Sequence, residues 1–397
     1  MALWQTHDVT VLSINAGSSS IRFAVYGGGE PPAKLLDGKI ERIGLDGTTL
    51  IVNESERQAV AAADHQSAAS FLMDWLAAQP KFTAVTAVGH RVVHGMNHTS
   101  PQRVTAGLVA ELKAITPYDP EHLPREIELI EIVSRRFPQL PQVACFDTAF
   151  HCGMPRVAAI LPIPRRYESK GVRRYGFHGL SYTFLLQELA RLGDPAASRG
   201  RVVLAHLGNG ASLAAVRDGK SIDTSMGFTP AAGLVMSTRS GDLDPGIMSF
   251  LTLTEGMDAA AYQHMVNHES GLLGVSETSS DIRDLLAREL EDVRASEAIA
   301  LFCYQAKKWI GAFAGALGGL DTLVFAGGIG ENAAPIRARI CAGLEFLGIE
   351  LHELRNARHA PLVSTEASSV TVRIIRTDEE SVIASLTIGA LGLELKG

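Results

Sequence analysis

The chain has 397 residues, of which 46% are hydrophobic, and its formal net charge is −7. This length and composition are typical of a globular protein with two domains. The acidic balance argues against a general binder of nucleic acid or of anionic membranes, because such proteins need a basic face.

The first predicted elements are two strands around a Gly-Ser turn. Residues 9–14 are apolar, Gly17 breaks the run, and Ile21, Phe23 and Val25 alternate with other residues. Helical composition and spacing predict helices at 67–78, 106–114 and 124–137, and apolar runs predict strands at 84–88 and 142–146.

The second half begins in the same way as the first. Residues 201–222 again predict strand, glycine-rich turn and strand, which favours two domains of one plan over an unrelated glycine hairpin. Helices are predicted at 259–268, 281–290 and 296–317, strands at 322–326 and 370–375, and a closing helix after them. The alternation of strands and helices predicts an α/β fold.

The cysteines and the apolar runs indicate the cellular compartment of the protein. The four cysteines form no CxxC pair, which predicts reduced core thiols in a cytoplasmic protein. The amino terminus lacks a basic n-region and an apolar h-region, so no signal peptide is predicted. Asp321 interrupts the apolar run 309–329, which favours a buried helix followed by a buried strand over a membrane span.

Five polar segments are predicted to follow strands, where α/β sheets bind ligands. They are residues 15–20, 206–210, 281–283, 327–332 and 377–380. Glycine lets backbone N–H groups approach phosphate closely, although no Walker motif or protein-kinase motif is present. Gly328–Ala333 also fits a dinucleotide fingerprint with Glu350 as the ribose acid, but Glu331 would then face a pyrophosphate.

Two arginines and several histidines are further candidates. Arg91 and Arg239 lie among glycines and small residues, where a guanidinium suits carboxylate or phosphate, the alternative being a structural salt bridge. His90, His94 and His98 have metal-like spacing, but the segment reads as strand then turn, so zinc is disfavoured. A core role is also favoured for residues 145, 151 and 152.

Ten motifs occur in the order seen in acetate kinases. They are INAGSSSIR, GHRVVHG, FDTAFH, RRYGFHG, HLGNG, MGFTP, TRSGDLDP, SSDIRD, GGIGEN and TDEE. The chain therefore resembles the acetokinase family over nearly its whole length. The resemblance implies two duplicated actin-like (ribonuclease H-like) α/β domains with an active-site cleft between them. We place the acyl-side domain at 1–150 plus 383–397 and the nucleotide domain at 151–382.

The resemblance also implies site residues and ligands. The implied catalytic residues are Arg91, His122, Asp147, His178 and Arg239. The implied ATP-binding residues are Asn15, Ser18, Ser20, Arg22, His206, Leu207, Gly208, Asn209, Gly210, Asp281, Ile282, Arg283, Gly328, Ile329, Gly330, Glu331 and Asn332. The implied acyl pocket comprises Arg91, Val93, Phe177 and Pro230, and the implied metal ligands are Asn15 and Glu379. The implied metal is Mg²⁺, with Mn²⁺ as an alternative, and the implied assembly is a homodimer.

Several positions depart from the family pattern. Arg22 replaces a lysine and keeps its charge, and Met96 replaces the second glycine of HGG. Glu121 and Leu123 flank His122 where the family has an apolar residue and an asparagine. Acetate is the expected acceptor, and propionate or butyrate is the alternative because Glu121 alters a predicted pocket position. An actin-like ATPase that only switches conformation is a third hypothesis, disfavoured because a switch needs no acceptor site.

Overall fold

A computed structural model of the chain describes residues 9–17, 20–29, 31–44 and 47–393. The strands are β1 (Thr10–Ala16), β2 (Ser20–Gly27), β3 (Ala33–Glu41), β4 (Thr49–Val52), β5 (Glu56–Ala59), β6 (Ala87–Val92), β7 (Gln102–Arg103), β8 (Gln142–Phe146), β9 (Arg201–Leu207), β10 (Ala211–Arg217), β11 (Lys220–Thr224), β12 (Thr322–Ala326) and β13 (Thr371–Ile374).

The helices are α1 (His65–Ala77), α2 (Ala106–Ala114), α3 (Leu123–Arg136), α4 (Arg156–Ala159), α5 (Gly179–Arg191), α6 (Ala196–Arg199), α7 (Gly246–Glu255), α8 (Ala259–His264), α9 (Gly271–Ser276), α10 (Ile282–Arg288), α11 (Val293–Leu317), α12 (Gly327–Asn332), α13 (Ala334–Cys341), α14 (Glu353–Ala357) and α15 (Glu379–Leu391). Short 3₁₀ segments join several of these elements.

The chain divides into two compact units. Unit 1 contains the residues up to Ala149, Gly179–Phe184 and the residues from Asp378 onward, and unit 2 contains Phe150–His178 and Leu185–Thr377. These limits differ from the predicted domain boundaries at three places, and at the first of them Phe150 already belongs to unit 2. Six residues of α5 group with unit 1, and the chain returns to unit 1 at Asp378 instead of residue 383.

Unit 1 is a sheet covered by helices on both faces. The strand order is β5-β4-β3-β2-β1-β6-β8-β7. Alternate residues of β1 point to opposite faces, so Leu12 and Ile14 pack with α1 and α3, whereas Val11 packs against α15. A Cβ on Gly89 of β6 would lie 2.2 Å from the Thr387 hydroxyl, so this glycine permits the close approach of α15 to the sheet.

Unit 2 is built on a smaller sheet and one long helix. The strand order is β11-β10-β9-β12-β13. Apolar residues of α11 recur at helical spacing and are buried, among them Phe302, Ile310 and Phe313. The Asp292 carboxylate accepts N–H bonds at the start of α11, and Gly318, with a positive φ of 72°, ends it.

The two sheets share one plan, which confirms the predicted duplication. In unit 1, β3-β2-β1 form an antiparallel meander, and β6 and β8 continue from β1 in parallel. In unit 2, β11-β10-β9 form the same meander, and β12 and β13 continue in parallel. The predicted α/β class and the predicted helix-then-strand character of 309–329 are also confirmed.

One predicted position is wrong. Residues 281–283 do not follow a strand; they begin α10, and the preceding element is the helix α9. The error arose because Asp281 is a helix N-cap, and an aspartate before an apolar run looks similar at the end of a strand and at the start of a helix.

The cysteines are unpaired, as predicted, but the core position predicted for Cys152 is wrong. All four cysteines are free; residues 145, 303 and 341 are buried and Cys152 is half-buried. Within the described part of the chain, no helix has both the length and the apolarity that a bilayer crossing requires.

Candidate active site

Three neighbouring parallel strands of unit 1 bring predicted site residues together at their carboxyl ends. Arg91 lies near the end of β6, and Asp147 directly follows β8. Arg91 donates from Nε and Nη2 to Asp147 Oδ2, at 3.0 and 2.6 Å, and from Nη1 to Asn15 Oδ1 at 3.1 Å. Arg91, Asp147 and Asn15 therefore form one cluster, because parallel strands end at the same edge of a sheet.

The charges of this cluster are strongly coupled. Burial alone would lower the pKa of Arg91, but the charges of Asp147 and Glu379 raise it. Burial raises the pKa of Asp147, and Arg91 opposes that rise. The side chain of Asp147 is fully buried, and its Oδ1 has no hydrogen-bond partner among the described residues. Arg91 is thus fixed as a cation with its guanidinium plane oriented by Asp147.

The first turn of α15 faces Asn15. Asn15 Nδ2 donates to Glu379 Oε2 at 2.8 Å and to Glu380 Oε1 at 3.1 Å. Asp378 caps the helix by accepting from Ser381 N. Glu379 therefore lies in the Arg91 cluster, to which Asn15 links it.

The donor set here fits a magnesium ion held partly by its substrate. Over the described residues, no group of three or more His, Cys, Asp or Glu side chains could hold a metal. Mg²⁺ commonly uses one or two protein carboxylates together with substrate phosphates and water, so Glu379 suffices as an anchor. The Asn15 oxygen already accepts from Arg91, and its amide nitrogen faces Glu379, so its geometry here orients that carboxylate.

A buried glutamate that the sequence did not reveal holds the chain just beyond Arg91. Both carboxylate oxygens of Glu126 accept from Val93 N, at 3.2 and 3.0 Å. Burial, then the nearby charge of Asp119, raises the pKa of Glu126 well above its usual range. Asp119 in turn lies 2.9 Å from Nδ1 of His122. The predicted residues Val93 and His122 are therefore both positioned by acidic side chains.

The hairpin at the start of unit 1 carries the remaining predicted residues of that unit. Arg22 of β2 lies opposite Asn15 of β1. Ser20 begins β2, and its carbonyl accepts from Gly17 N at 2.8 Å, which closes the turn. Ser18 lies outside the described residues.

In unit 2, a second cluster is organised around His178. His178 adopts a left-handed backbone conformation, with a φ of 58°, directly before α5. Its Nδ1 lies 2.8 Å from the hydroxyl of Ser212, and its ring stacks on His206 with centroids 4.3 Å apart. A Cβ at Gly210 would lie 3.3 Å from His178 Nε2 and 3.7 Å from Arg239 Nη1. His178 and Arg239 are therefore neighbours around Gly210.

Hydrogen bonds from His151 and Arg239 connect this cluster to neighbouring segments of unit 2. His151 Nε2 lies 3.1 Å from the carbonyl of Phe177, and its Nδ1 lies 2.8 Å from the hydroxyl of Ser221. Arg239 Nη1 donates to the carbonyl of Pro230 at 3.3 Å. Phe177 and Pro230, the predicted pocket residues of unit 2, are both buried.

The two glycine-rich segments of unit 2 are adjacent. β9 and β12 are parallel, with His206 paired to Ala326. A Cβ at Gly208 would lie 3.8 Å from Gly328 N, which places 206–210 beside 327–332. This arrangement brings their backbone N–H groups to one edge of the sheet, where a nucleotide's phosphates could be bound.

Glu331 is turned inward. Its Oε1 accepts from Gly327 N at 3.0 Å and from Thr377 N at 3.2 Å. The buried Arg337 donates to the carbonyls of Gly330 and Glu331 and so fixes the end of α12. The carboxylate therefore occupies the start of α12, where a dinucleotide fold would place its pyrophosphate, and the dinucleotide hypothesis is not supported.

Of the predicted residues 281–283, Arg283 lies at the surface of unit 2, whereas Ile282 is buried. Asp281 caps α10 and pairs with Arg283, whose side chain is 85% exposed. Arg283 lowers the pKa of Asp281. Their role in nucleotide binding stays a prediction.

Comparison with known proteins places the chain in a family. Residues 10–385 match the Acetokinase family. The chain is 43% identical to a propionate kinase of Citrobacter rodentium over 94% of this chain and 95% of that protein, and 42% identical to an acetate kinase of Rhodopseudomonas palustris over 94% and 96%.

Solved structures of acetate and propionate kinases are also similar to this chain. An acetate kinase from Porphyromonas gingivalis has a TM-score of 0.86 at 35% identity, covering 96% of this chain and 100% of that one. A propionate kinase from Francisella tularensis has a TM-score of 0.89 at 35% identity, with coverage of 96% and 99%. The motifs at the strand ends, the duplicated sheets and the full-length similarity lead to one conclusion: the chain belongs to the Acetokinase family.

Proposed function

We propose that the protein is an acetate kinase, which reversibly transfers the γ-phosphoryl group of ATP to acetate and forms acetyl phosphate and ADP. The observation that carries the proposal is the pair of separate cationic clusters, one around Arg91 in unit 1 and one around Arg239 and His178 in unit 2. Full-length similarity to acetate and propionate kinases supports it.

In this proposal the carboxylate binds at Arg91. The guanidinium is held by Asp147 through Nε and Nη2, and its plane suits a second carboxylate. Val93 lies two residues after Arg91, and its backbone N–H donates to Glu126. Val93 is the proposed apolar wall for the acyl methyl group. ATP binds unit 2 at the adjoining segments 206–210 and 327–332, whose backbone N–H groups suit phosphate.

The reaction itself is an in-line displacement. A carboxylate oxygen forms a bond to the γ-phosphorus while the bond from that phosphorus to the bridging oxygen of ADP breaks. The acceptor is already ionised at neutral pH, because a carboxyl group has a pKa of about 4. No general base is therefore needed, and Asp147 serves to orient Arg91.

Stabilisation of the phosphoryl oxygens is the main task of the protein. Arg239 and His178 supply cationic or N–H groups for charge that spreads over these oxygens, and Arg91 supplies a cation for the acceptor carboxylate. A magnesium ion, when bound at Glu379, would neutralise charge on the nucleotide phosphates. Mn²⁺ is the alternative ion, and magnesium dependence is a proposal that metal titration of the activity would test.

Trapping acyl phosphate with hydroxylamine tests the activity. ATP and acetate should give acetyl hydroxamate, and Arg239→Ala should lower turnover by roughly 10²–10³, the range for a lost transition-state donor. Arg339→Ala is a matched control, because Arg339 pairs with Glu289 away from the cluster. ATP hydrolysis without hydroxamate would instead indicate an ATPase that lacks an acceptor site.

Propionate is the second candidate acceptor. The chain is 43% identical to a propionate kinase and 42% identical to an acetate kinase. Sequence identity therefore supports propionate as well as it supports acetate. Specificity constants for acetate, propionate and butyrate would rank the acids. One methylene in an apolar pocket changes the ratio by about 10-fold to 200-fold, so the series would discriminate clearly.

We further propose a homodimer in the cytoplasm. Apolar side chains on and near α7 are exposed in the single chain: Leu243 by 42%, Phe250 by 62% and Leu253 by 86%. Exposed apolar side chains close together in the sequence often mark a subunit interface. Light scattering on the wild type and on Phe250→Glu tests it: a dimer should become a monomer, and a monomeric wild type would refute the proposal.

A further inference from the structure

The imidazole of His178 is held on three sides within unit 2. Its Nδ1 lies 2.8 Å from the Ser212 hydroxyl, and its ring stacks on His206 with centroids 4.3 Å apart and the planes inclined by 26°. Its Nε2 lies beside Gly210, where an added Cβ would be 3.3 Å away. The protein therefore engages Nδ1, and Nε2 points toward the glycine-rich segment.

The position of Ser212 is set by the sheet. Ser212 is fully buried on β10, which lies between β11 and β9 in the sheet of unit 2, and pairs with His206 of β9 in antiparallel register. One pair of facing residues on adjacent strands thus supplies both the hydroxyl at Nδ1 and the ring that stacks on His178. Because β10 is hydrogen-bonded to a strand on each side, the hydroxyl is held in place.

The chemistry of the ring limits which nitrogen carries the proton. A neutral imidazole has one donor nitrogen and one acceptor nitrogen. Phosphoryl oxygens accept hydrogen bonds, so His178 can bind them only if Nε2 carries the proton. In that tautomer Nδ1 is an acceptor and requires a donor, and a serine hydroxyl can be that donor.

A guanidinium near His178 disfavours a positive charge on the ring. The groups facing His178 include the stacked His206 and the guanidinium of Arg239, whose Nη1 lies 3.7 Å from the same Cβ position at Gly210. A second positive charge beside a guanidinium is electrostatically unfavourable. The choice between the two neutral tautomers therefore decides whether the ring can donate from Nε2.

We infer that Ser212 is a positioning residue that donates its hydroxyl proton to Nδ1 of His178 and so fixes the tautomer that donates from Nε2 to the transferring phosphoryl group. This rests on the role proposed above for His178. Ser212 itself touches neither substrate nor reacting atoms, so its effect is exerted through the imidazole.

Nitrogen NMR of the full-length protein labelled at its histidine rings tests the inference without any activity. The two-bond proton–nitrogen pattern distinguishes the tautomers, and loss of a signal in His178→Gln assigns it. The wild type should show a protonated Nε2, and Ser212→Ala should show exchange between both tautomers. A wild-type ring protonated at Nδ1 would overturn the inference.

Kinetics give the second readout. Ser212→Ala should lower kcat by about 10-fold, the lower end for loss of an outer-shell partner, with both KM values unchanged. Ser212→Thr keeps the hydroxyl and should recover most of the loss. Ser225→Ala is the matched control, because this buried serine hydroxyl accepts from Leu213 N, and it should leave the His178 tautomer unchanged.

A double-variant cycle separates this inference from the proposed function. In a His178→Ala background, Ser212→Ala should have no further effect, and an equal loss in both backgrounds would show that Ser212 does not act through His178. If His178→Ala alone keeps wild-type turnover, the proposed role of His178 fails, and the nitrogen spectrum still decides whether Ser212 sets the tautomer. Should Ser212→Ala fold poorly, the nearly isosteric Ser212→Cys, a weak donor, is expected to show the same kcat loss.

Discussion

Acid should weaken the fold through a buried histidine that lies behind the His178 cluster. His151 is 2% exposed. The Phe177 carbonyl can only accept, so Nε2 of His151 is the donor and Nδ1 accepts from the Ser221 hydroxyl. Both bonds are made by the neutral ring, and burial lowers the pKa of His151 to about 4 from the ordinary 6.5.

The expected size follows from this pKa difference. In the unfolded chain the ring binds a proton near pH 6.5, whereas in the folded chain it does so only near pH 4. Between these values the unfolded state binds more protons, so the free energy of unfolding falls as the pH falls. The contribution is about 3 kcal/mol, fully present above the unfolded pKa and lost as the pH falls through the folded pKa.

Urea unfolding of the wild type and of His151→Gln from about pH 7 to about pH 4 measures this contribution. Glutamine keeps an N–H for the Phe177 carbonyl but does not titrate, so the wild type should lose about 3 kcal/mol more than the variant over this range. His90→Gln is a parallel case in unit 1, because burial lowers the pKa of His90 to about 4 as well. A stability difference that stays constant with pH in both pairs would refute the reasoning.

Three further outcomes are expected. Alkylation of the folded protein should modify Cys152 first, since it is half-buried whereas the other three cysteines are buried, and peptide mass spectrometry would show the order. Met96 has a φ of 48°, which glycine adopts without steric cost, so Met96→Gly should raise the free energy of unfolding by about 0.5–1 kcal/mol without changing turnover. Asn53 has a φ of 47°, and Asn53→Gly should raise the free energy of unfolding less, because asparagine tolerates this region. Asp147→Asn should lower turnover by roughly 10²–10³ because Arg91 loses its anionic partner, and a turnover close to that of the wild type would show that Asp147 does not orient Arg91.

Much of the fold was accessible from local patterns. The predicted strands 142–146 and 322–326 and the predicted helix 106–114 have the observed limits, because apolar alternation and caps act over a few residues. Glycine-rich turns between apolar runs also predicted the two hairpins from which the duplication follows. The prediction for 281–283 was wrong for a similar local reason, since a cap resembles a strand end.

The sequence by itself determined which segments meet, because parallel strands place their carboxyl ends at one edge and so gather Arg91, Asp147 and Asn15. Only the tertiary structure decided which side chains hold them there. Glu126 beneath Val93 and Ser212 at His178 lie 33 and 34 residues from their partners. A single glutamate on a helix or serine on a strand has no local pattern that marks it, since its role depends on strand register and helix packing between distant segments.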